Sequence, residues 1–462
     1  MTLSGSATDT IAAISTPPGR GGIGIVRLSG QQAASIAAQL VRLRQPLEHG
    51  RARLADVLDV NSGSDPDRID EAVVTFFGAP RSYTGEDLVE IAAHGSPVVL
   101  ELLLRRAIGL GARLAEPGEF TQRAFLAGRI DLTQAEAVRD LIEAQTLTQA
   151  RQAASQMGGA LSRRVQPVKG ALVELIALLE AGIDFAEDDV DVAPAAEIAR
   201  RIGELTPPLI ALEASFARGR IVHDGLTLAI VGRPNAGKSS LFNCLVERDR
   251  AIVTATPGTT RDLVTERISL DGIPLELVDT AGLRETFEEV EQLGVARSRE
   301  ALADAALVLV VLDATQPLND EEHRLLEAVQ GRPALVAVNK SDLAEEGSAA
   351  QEAAGVLASV PALATSALTG EGIAALRERI LALATGGAAS EPGMLTNMRH
   401  HQAIETALAA LAGAAQANST AIPHEMILLD LYHALGALDS LTGQTTSDDI
   451  LNLIFSTFCI GK

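Results

Sequence analysis

The stretch "LTLAIVGRPNAGKSSLFNCLV" (226–246) decides the fold of the middle of the chain. An apolar run leads into "GRPNAGKS" (232–239), which matches the phosphate-binding pattern G-x-x-x-x-G-K-[ST], and a helical pattern follows. In this context the backbone N–H groups at a helix N-terminus surround phosphate oxygens. Lys238 is expected to neutralise the β- and γ-phosphates, and Ser239 to ligate Mg²⁺. The stretch therefore predicts a nucleotide-binding α/β domain.

Three further motifs indicate that the nucleotide is GTP. "DTAG" (279–282) follows an apolar run, so Asp279 can hold Mg²⁺ through water and Gly282 can offer its N–H to the γ-phosphate. In "NKSD" (339–342), the carboxylate of Asp342 can accept from guanine N1–H and from the exocyclic amine, a pairing that adenine cannot supply. "SAL" (366–368) fits the loop over the guanine carbonyl. The predicted GTP-binding residues of these four motifs are Asn235, Ala236, Gly237, Lys238, Ser239, Ser240, Asp279, Thr280, Ala281, Gly282, Asn339, Lys340, Asp342, Ser366 and Ala367.

The residue after the "DTAG" motif raises a question about hydrolysis. Many small GTPases carry a glutamine there that orients the attacking water, whereas this chain has Leu283. Leucine can neither hydrogen-bond water nor stabilise charge, so either hydrolysis is weak or another residue acts. The following "LRETFEEVE" (283–291) provides Arg284 and several carboxylates as candidates. The alternative is that this segment is only a charged, exposed loop.

Composition limits the possible classes of protein. A length of 462 residues predicts two to four domains. The formal net charge of −22 argues against a broad phosphate-binding surface. The two cysteines give no disulfide framework. The N-terminus resembles no signal peptide, and the apolar run "AALVLVVL" (305–312) is too short to span a bilayer. We therefore expect a cytoplasmic protein that does not associate with membranes.

The pattern along the chain predicts a multidomain α/β protein. Residues 1–120 alternate short strands with two helices, at about 31–43 and 97–109, and indicate an α+β domain. Residues 121–220 and 385–462 are helical, and the nucleotide-binding domain at 221–384 interrupts them. Because compact domains tolerate insertion at surface sites, we expect the two helical segments to form one domain. The literal G-x-G-x-x-G of "GRGGIG" (19–24) is followed by a strand pattern, so it does not indicate dinucleotide binding.

With these motifs in place, the whole chain resembles the MnmE (TrmE) family of tRNA modification GTPases. The resemblance is carried by "STPPGRGGIGIVRLSG", by "GRPNAGKSSLFN" and by the terminal "FCIGK". It implies an N-terminal domain that binds a one-carbon tetrahydrofolate derivative (5-formyl- or methylene-tetrahydrofolate) and mediates homodimerisation. It also implies a helical domain carrying an inserted Ras-like G domain. With the flavin-dependent partner MnmG, such proteins add aminomethyl-type groups, such as carboxymethylaminomethyl, to C5 of the wobble uridine of certain tRNAs.

The same resemblance assigns further residues. It places folate binding at Arg27, Glu90, Arg129 and Lys462. It implies that K⁺ takes the place of the arginine finger of other GTPases, with ligands from Asn235, Thr254, Thr256 and Thr259. It places Mg²⁺ on Ser239 and Thr260, and gives the orientation of water to Glu291, which would compensate for Leu283.

The C-terminal residues "CIGK" (459–462) put a thiol three positions before the end. If the helix predicted over "DDILNLIFSTF" (448–458) packs back into the helical domain, it directs Cys459 and Lys462 toward the folate site. The Cys459 thiolate could then add transiently to the uracil ring or handle the one-carbon unit. The alternative is that the terminal thiol is incidental.

Two other functions fit parts of the sequence. A regulatory GTPase of ribosome assembly would carry the same nucleotide motifs, but such a protein more often has a basic RNA-binding appendage, which this acidic chain lacks. The N-terminal part could also be a folate enzyme unrelated to RNA. The N-terminal domain and the "CIGK" terminus favour tRNA modification over both.

Overall fold

A computed structural model describes most of the chain. The described residues are 9–58, 67–184, 194–247, 264–279, 305–344, 361–386, 391–420, 422–444, 451 and 454–461. Their contacts divide the chain into two compact units. Unit 1 comprises the described residues of 1–139, 157–159 and 436–462, and unit 2 comprises those of 140–156 and 160–435. The two ends of the chain therefore belong to the same unit.

Unit 1 is built on a seven-stranded sheet. Its strands are β1 (Ile11–Ile14), β2 (Gly21–Ser29), β3 (Val41–Leu43), β4 (Ala52–Leu58), β5 (Arg68–Phe77), β6 (Leu88–Gly95) and β7 (Arg113–Leu114). They pair in the order β3-β4-β5-β6-β2-β1-β7, and every pair is antiparallel except β1 with β7. The "GRGGIG" stretch runs into strand β2, as its sequence predicts.

Two helices cover one face of this sheet. Helices α1 (Ala33–Leu40) and α2 (Pro97–Gly109) share a buried core with Ala12 of β1. Helix α1 ends earlier than predicted, because Val41 is extended and pairs with β4. The other face of β1 packs against α3 (Glu119–Leu126), followed in the chain by α4 (Leu132–Glu143). Since strand side chains alternate between faces, Ile11 and Ala13 point to this second face.

Unit 2 contains most of the other helices. They are α5 (Leu147–Met157), α6 (Ala160–Asp184), α7 (Ala195–Ala214), α8 (Phe216–Asp224), α9 (Lys238–Glu247), α10 (Asp320–Ala328), α11 (Ile373–Thr385), α12 (Met398–Ser419) and α13 (His424–Thr442), the last of which continues into unit 1. Helix α7 buries Ile198, Ile202, Leu205, Leu209 and Leu212 at helical spacing and packs along α6 and α12. No helix in the described part of the chain is long and apolar enough to cross a membrane.

The second sheet also lies in unit 2. Its strands are β8 (Leu226–Val231), β9 (Val264–Leu270), β10 (Ile273–Asp279), β11 (Leu307–Asp313), β12 (Ala334–Asn339) and β13 (Ala362–Ala364). The order is β13-β12-β11-β8-β10-β9, and only β9 is antiparallel to its neighbour. The carboxyl ends of β8, β10, β11 and β12 therefore meet at one edge, where open α/β sheets bind their ligands.

Candidate functional site

The phosphate loop connects β8 to α9 at this edge. Its backbone has positive φ at Gly232 (147°), Asn235 (62°) and Gly237 (93°). A Cβ on Gly232 would lie 2.2 Å from the carbonyl oxygen of Val311, and one on Gly237 would lie 2.1 Å from Nδ2 of Asn339. Both contacts are closer than real Cβ atoms make, so these two positions require glycine.

Lys238 is buried at the start of α9. Its Nζ donates to the carbonyl oxygens of Gly232, at 2.7 Å, and Arg233, at 2.8 Å. The ammonium therefore lies within the loop that the motif predicts for phosphate. The next two residues, Ser239 and Ser240, are exposed in the first turn of α9, where a hydroxyl can reach a metal ion.

Asn339 joins three of the predicted motifs. Its Nδ2 donates to the carbonyl oxygen of Ala236 at 3.0 Å, and its Oδ1 accepts from the backbone N–H of Ala367 at 3.0 Å. The side chain is buried, so each of these hydrogen bonds matters: an unpaired amide there would cost about 1–3 kcal/mol. The phosphate loop, the "NKSD" motif and the "SAL" loop are thus held together by one amide.

Asp313, at the carboxyl end of β11, links the phosphate loop to the "NKSD" motif. One of its oxygens accepts from Nζ of Lys340 at 2.7 Å and lies 3.9 Å from the guanidinium of Arg233, which is also 3.3 Å from Glu322. Burial favours a raised pKa of Asp313, but hydrogen bonds from Lys340 and Thr315 outweigh it and lower that pKa. The sequence did not predict roles for Arg233, Asp313 and Glu322. The sequence signal that could have indicated a role for Asp313 is its position at the end of an apolar strand pattern.

The remaining base-site residues occupy two turns. Asp342 is exposed in the short 3₁₀ helix Ser341–Leu343, and Lys340 before it has φ of 64°. Ser366 is buried and its Oγ accepts from the backbone N–H of Thr369 at 3.1 Å. Cys244 of α9 packs against the core of this sheet and donates to the carbonyl oxygen of Ala367 at 3.1 Å.

Several predicted site residues lie outside the described part of the chain. They are Thr254, Thr256, Thr259, Thr260, Thr280, Ala281, Gly282, Arg284, Glu291 and Lys462, together with Leu283. Asp279 ends β10, and only its backbone is described. The roles assigned to these residues stay predictions.

The second candidate site lies on the sheet of unit 1. Arg27 of β2 pairs with Glu90 of β6 and with Ala13 of β1, so its side chain shares the face of Ala13. Its Nε and Nη2 both donate to Oε1 of Glu90, at 3.0 and 2.6 Å. The rings of Tyr83 and Phe120 lie 5.8 and 5.6 Å from the guanidinium carbon. Cation–π contacts of this length add to the ion pair in fixing Arg27.

The C-terminus meets the same guanidinium. The carbonyl oxygen of Gly461 accepts from Oγ of Ser15 at 3.0 Å and from Nη1 of Arg27 at 3.4 Å. Cys459 is exposed, and its carbonyl oxygen accepts from the backbone N–H of Gly118 at 3.4 Å. The structure thus brings Gly461 into contact with Arg27, which is itself bonded to Glu90.

Arg129, the other residue assigned to folate, lies apart from this pair. It is exposed, and its guanidinium donates to the carbonyl oxygen of Pro80 at 3.1 Å. Within the described part of the chain it makes no hydrogen bond or ion pair with Arg27 or Glu90. Its assignment to the folate site therefore stays a prediction.

A partly buried ion network supports strand β1, which directly precedes Ser15. Arg113 bonds to Asp9 at 2.8 Å and to Glu119 at 2.5 Å, while Arg123 bonds to Asp9 and, at 2.9 Å, to Glu86. Burial favours a raised pKa of Asp9, but the hydrogen bonds and charges of Arg113 and Arg123 outweigh it and lower that pKa. The network ties the start of β1 to α3 and escaped prediction, because its members are spread over more than 100 residues.

The second sheet, its phosphate loop and the base-site turns define a P-loop GTPase. Comparison with known proteins identifies which one. Residues 132–459 match the family model described as MnmE helical domain, and residues 10–129 match that described as GTP-binding protein TrmE N-terminus. A protein of Koribacter versatilis named tRNA modification GTPase MnmE is 58% identical over 459 residues, covering 98% of this chain and 99% of that protein. A protein of the same name from Moorella thermoacetica is 42% identical, with the same coverage. The chain belongs to the MnmE (TrmE) family of tRNA modification GTPases.

Similar solved structures include other GTPases. The G domain of the T. maritima FeoB iron transporter is 28% identical, covers 34% of this chain and 98% of its own, and has a TM-score of 0.27. Era, in a complex with MgGDPNP and ribosomal RNA, is 25% identical, with coverage of 40% of this chain and 66% of its own and a TM-score of 0.28.

The family membership confirms the predicted fold class: an N-terminal α+β domain, a helical domain and an inserted Ras-like G domain. The exact segment boundaries stay predictions.

Proposed function

We propose that this chain couples GTP hydrolysis to the modification of C5 of the wobble uridine in certain tRNAs. In this proposal it acts as a cytoplasmic homodimer with the flavin-dependent partner MnmG, and a one-carbon tetrahydrofolate derivative supplies the carbon. The added group is of the aminomethyl type, such as carboxymethylaminomethyl. Full-length similarity to tRNA modification GTPases supports the tRNA substrate.

The observation that carries the folate part of the proposal is the contact of Gly461 with Arg27. This contact joins Gly461 of the "CIGK" motif to a guanidinium whose carboxylate partner, Glu90, lies on the same sheet face. The two hydrogen bonds that Arg27 donates to Glu90 both end on Oε1, so Oε2 of this partly exposed carboxylate can accept from the amino and N–H groups of a pterin ring. This donor and acceptor set fits a folate, and Arg129 and Lys462 would add positive charge for its glutamate tail.

Bound folate would supply the one-carbon unit, and the chain's own residues would position it. Arg27 is held rigidly by Glu90 and by two aromatic rings, which favours binding because little side-chain entropy is then lost. Cys459 is exposed at this end of the chain, where its thiolate can act as a nucleophile toward the uracil ring.

In unit 2, the phosphate loop fits GTP and Mg²⁺. Lys238 and the loop N–H groups would bind the phosphates, Asp342 would read guanine, and Ser239 with Thr260 would hold Mg²⁺. Asn235, in its positive-φ conformation, would ligate K⁺ together with Thr254, Thr256 and Thr259. Glu291 would orient the attacking water, assisted by Arg284 of the same segment.

Nucleoside mass spectrometry tests the proposal. Cells lacking this protein should lose the C5 modification of wobble uridine, the wild-type chain should restore it, and Lys238→Ala should not. Normal wobble nucleosides combined with defective ribosomal subunits would instead support the assembly-switch alternative.

A further inference from the structure

The last described residues, 454–461, form a segment that we call the C-terminal strap. It is anchored by two aromatic side chains, because Phe455 and Phe458 are buried against Leu132, Ala135 and Val138 of α4. The hydroxyl of Thr457 adds a hydrogen bond from Arg139 at 2.8 Å. These contacts fix the upstream half of the strap, but they lie before Cys459 and do not themselves determine where the terminus goes.

The first contact that directs the terminus is at Gly118. Its backbone N–H donates to the carbonyl oxygen of Cys459, and the neighbouring Pro117 forms an antiparallel bridge with Ile460. The φ of Gly118 is 69°, and a Cβ there would lie 2.7 Å from the carbonyl oxygen of Phe455 and 3.0 Å from Cβ of Phe458. Backbone approaches backbone at this point, so a side chain on residue 118 would displace the strap.

The second contact is at Gly461, on the other side of Cys459. Its φ is 95°, and a Cβ would lie 2.8 Å from the carbonyl oxygen of Ile14 and 2.9 Å from Cα of Ser15. Its carbonyl oxygen accepts the hydrogen bonds of Ser15 and Arg27.

We propose that Ser15, Gly118 and Gly461 are positioning residues that lock the C-terminal strap onto unit 1 and hold the "CIGK" terminus at the Arg27–Glu90 pair. The two glycines permit the close approach, and Ser15 donates to the same carbonyl oxygen of Gly461 that accepts from Arg27. None of the three needs to touch the one-carbon carrier. The functional importance of the lock rests on the proposed folate function. The docking of the strap onto unit 1 is independent of that function.

A matched pair of glycine variants tests the lock. Gly50 lies in the same unit with φ of 71°, nearly that of Gly118, but a Cβ there would meet nothing within 4 Å. Gly50→Ala and Gly118→Ala therefore impose similar backbone strain, and only the second collides with the strap. We expect Gly118→Ala to accelerate hydrogen exchange in the C-terminal peptide and to weaken 5-formyl-tetrahydrofolate binding, each by about tenfold or more. Gly50→Ala should change neither quantity.

Ser15→Ala provides a second test that adds no bulk. Because it removes a single hydrogen bond, we expect folate binding to weaken by about two- to tenfold, with faster exchange of the strap and an unchanged GTP hydrolysis rate. Equal behaviour of Gly118→Ala and Gly50→Ala in both measurements would overturn the lock. If the wild-type chain does not bind 5-formyl-tetrahydrofolate but strap exchange still separates the two glycine variants, the lock stands and the folate proposal fails.

Discussion

The phosphate loop of unit 2 and the Arg27–Glu90 site of unit 1 are assembled from contacts of very different range. Lys238 is held by carbonyl groups only five and six residues away, whereas Ser15 and Gly461 are separated by 446 residues. The phosphate loop needs only its own stretch of chain to fold, because its contacts are local. A site completed by a distant segment depends on the fold of the whole unit, and it can be opened by changes that leave the nucleotide site intact.

Deleting residues 459–462 should give the largest difference between the effects on the two sites. We expect complete loss of tRNA modification, whereas GTP binding and most GTP hydrolysis should be retained. The reason is that the predicted nucleotide-binding motifs all lie within residues 232–368. Nucleosides from complemented null cells and the GTPase rate of the purified protein measure the two effects.

Single substitutions should show which of these residues is needed for modification and which for folate binding. Cys459→Ser should lose modification and keep folate binding, because serine preserves the shape but ionises far less readily. Lys462→Ala should weaken folate binding. Full modification by Cys459→Ser would show that the thiol is incidental.

Asp342→Asn should change the base specificity of unit 2 alone. An amide can no longer accept from both guanine N1–H and the exocyclic amine, so we expect the preference for GTP over XTP to shift by roughly 10⁴-fold. Direct binding titrations with both nucleotides measure it. Asp320→Asn, at an exposed position of α10, is the matched control and should leave the preference unchanged.

Replacing K⁺ by Na⁺ should slow GTP hydrolysis without affecting the strap. An arginine finger contributes about 10³–10⁵ in rate, and if K⁺ supplies part of that stabilisation we expect a difference of roughly 10²-fold. The affinity for GTP, measured in both salts, should stay the same. Identical hydrolysis rates in K⁺ and Na⁺ would rule out the ion's role.

The smallest predicted effect concerns His223, which closes α8 in unit 2. Its Nε2 lies 3.2 Å from Oδ1 of Asp140 and its Nδ1 lies 2.7 Å from Oδ1 of Asp224. The nearby carboxylate of Asp140, opposed by burial, raises the pKa of His223 to about 9. Because the folded-state pKa exceeds the unfolded value of 6.5, this contribution to stability is full below pH 6.5 and is lost as the pH rises through about 9.

We expect the loss to be about 1–2 kcal/mol, since the side chain is partly exposed. Urea midpoints of the wild type and of His223→Gln at pH 6 and 9.5 measure it. The difference between the two proteins should shrink at the higher pH. His433→Gln, at an exposed position of α13, should show no such trend.

The shape of the phosphate loop was predictable from sequence because its geometry is local. The positive φ of Gly232, Asn235 and Gly237 follows from a loop that must turn tightly between a strand and a helix. What the motifs could not reveal is how they are joined: the amide of Asn339 contacts Ala236 and Ala367, about 103 and 28 residues away. Such partners depend on which strands become neighbours in the sheet.

Unit 1 was less predictable. The strand pattern indicated the sheet, but not the short β3 and β7, which are defined by pairing more than by composition. The terminal motif suggested that the chain end returns to the folate site, yet nothing near Ser15 or Gly118 in sequence marks them as its contacts. The role proposed for Gly118 follows from close approach between backbones, and the role proposed for Ser15 follows from one hydrogen bond to a residue 446 positions away. Neither produces a local sequence pattern.

The membership of both chain ends in unit 1 has a consequence for how the protein is made. Ser15 leaves the ribosome early, whereas its partner Gly461 is made 446 residues later. At about 5–20 residues per second, roughly 20–90 s of synthesis separate the two. The strap can therefore dock only after residues 454–461 have been made, long after Ser15, and a chain that stops before them lacks the segment that contacts Ser15 and Gly118 while still carrying the nucleotide-binding motifs.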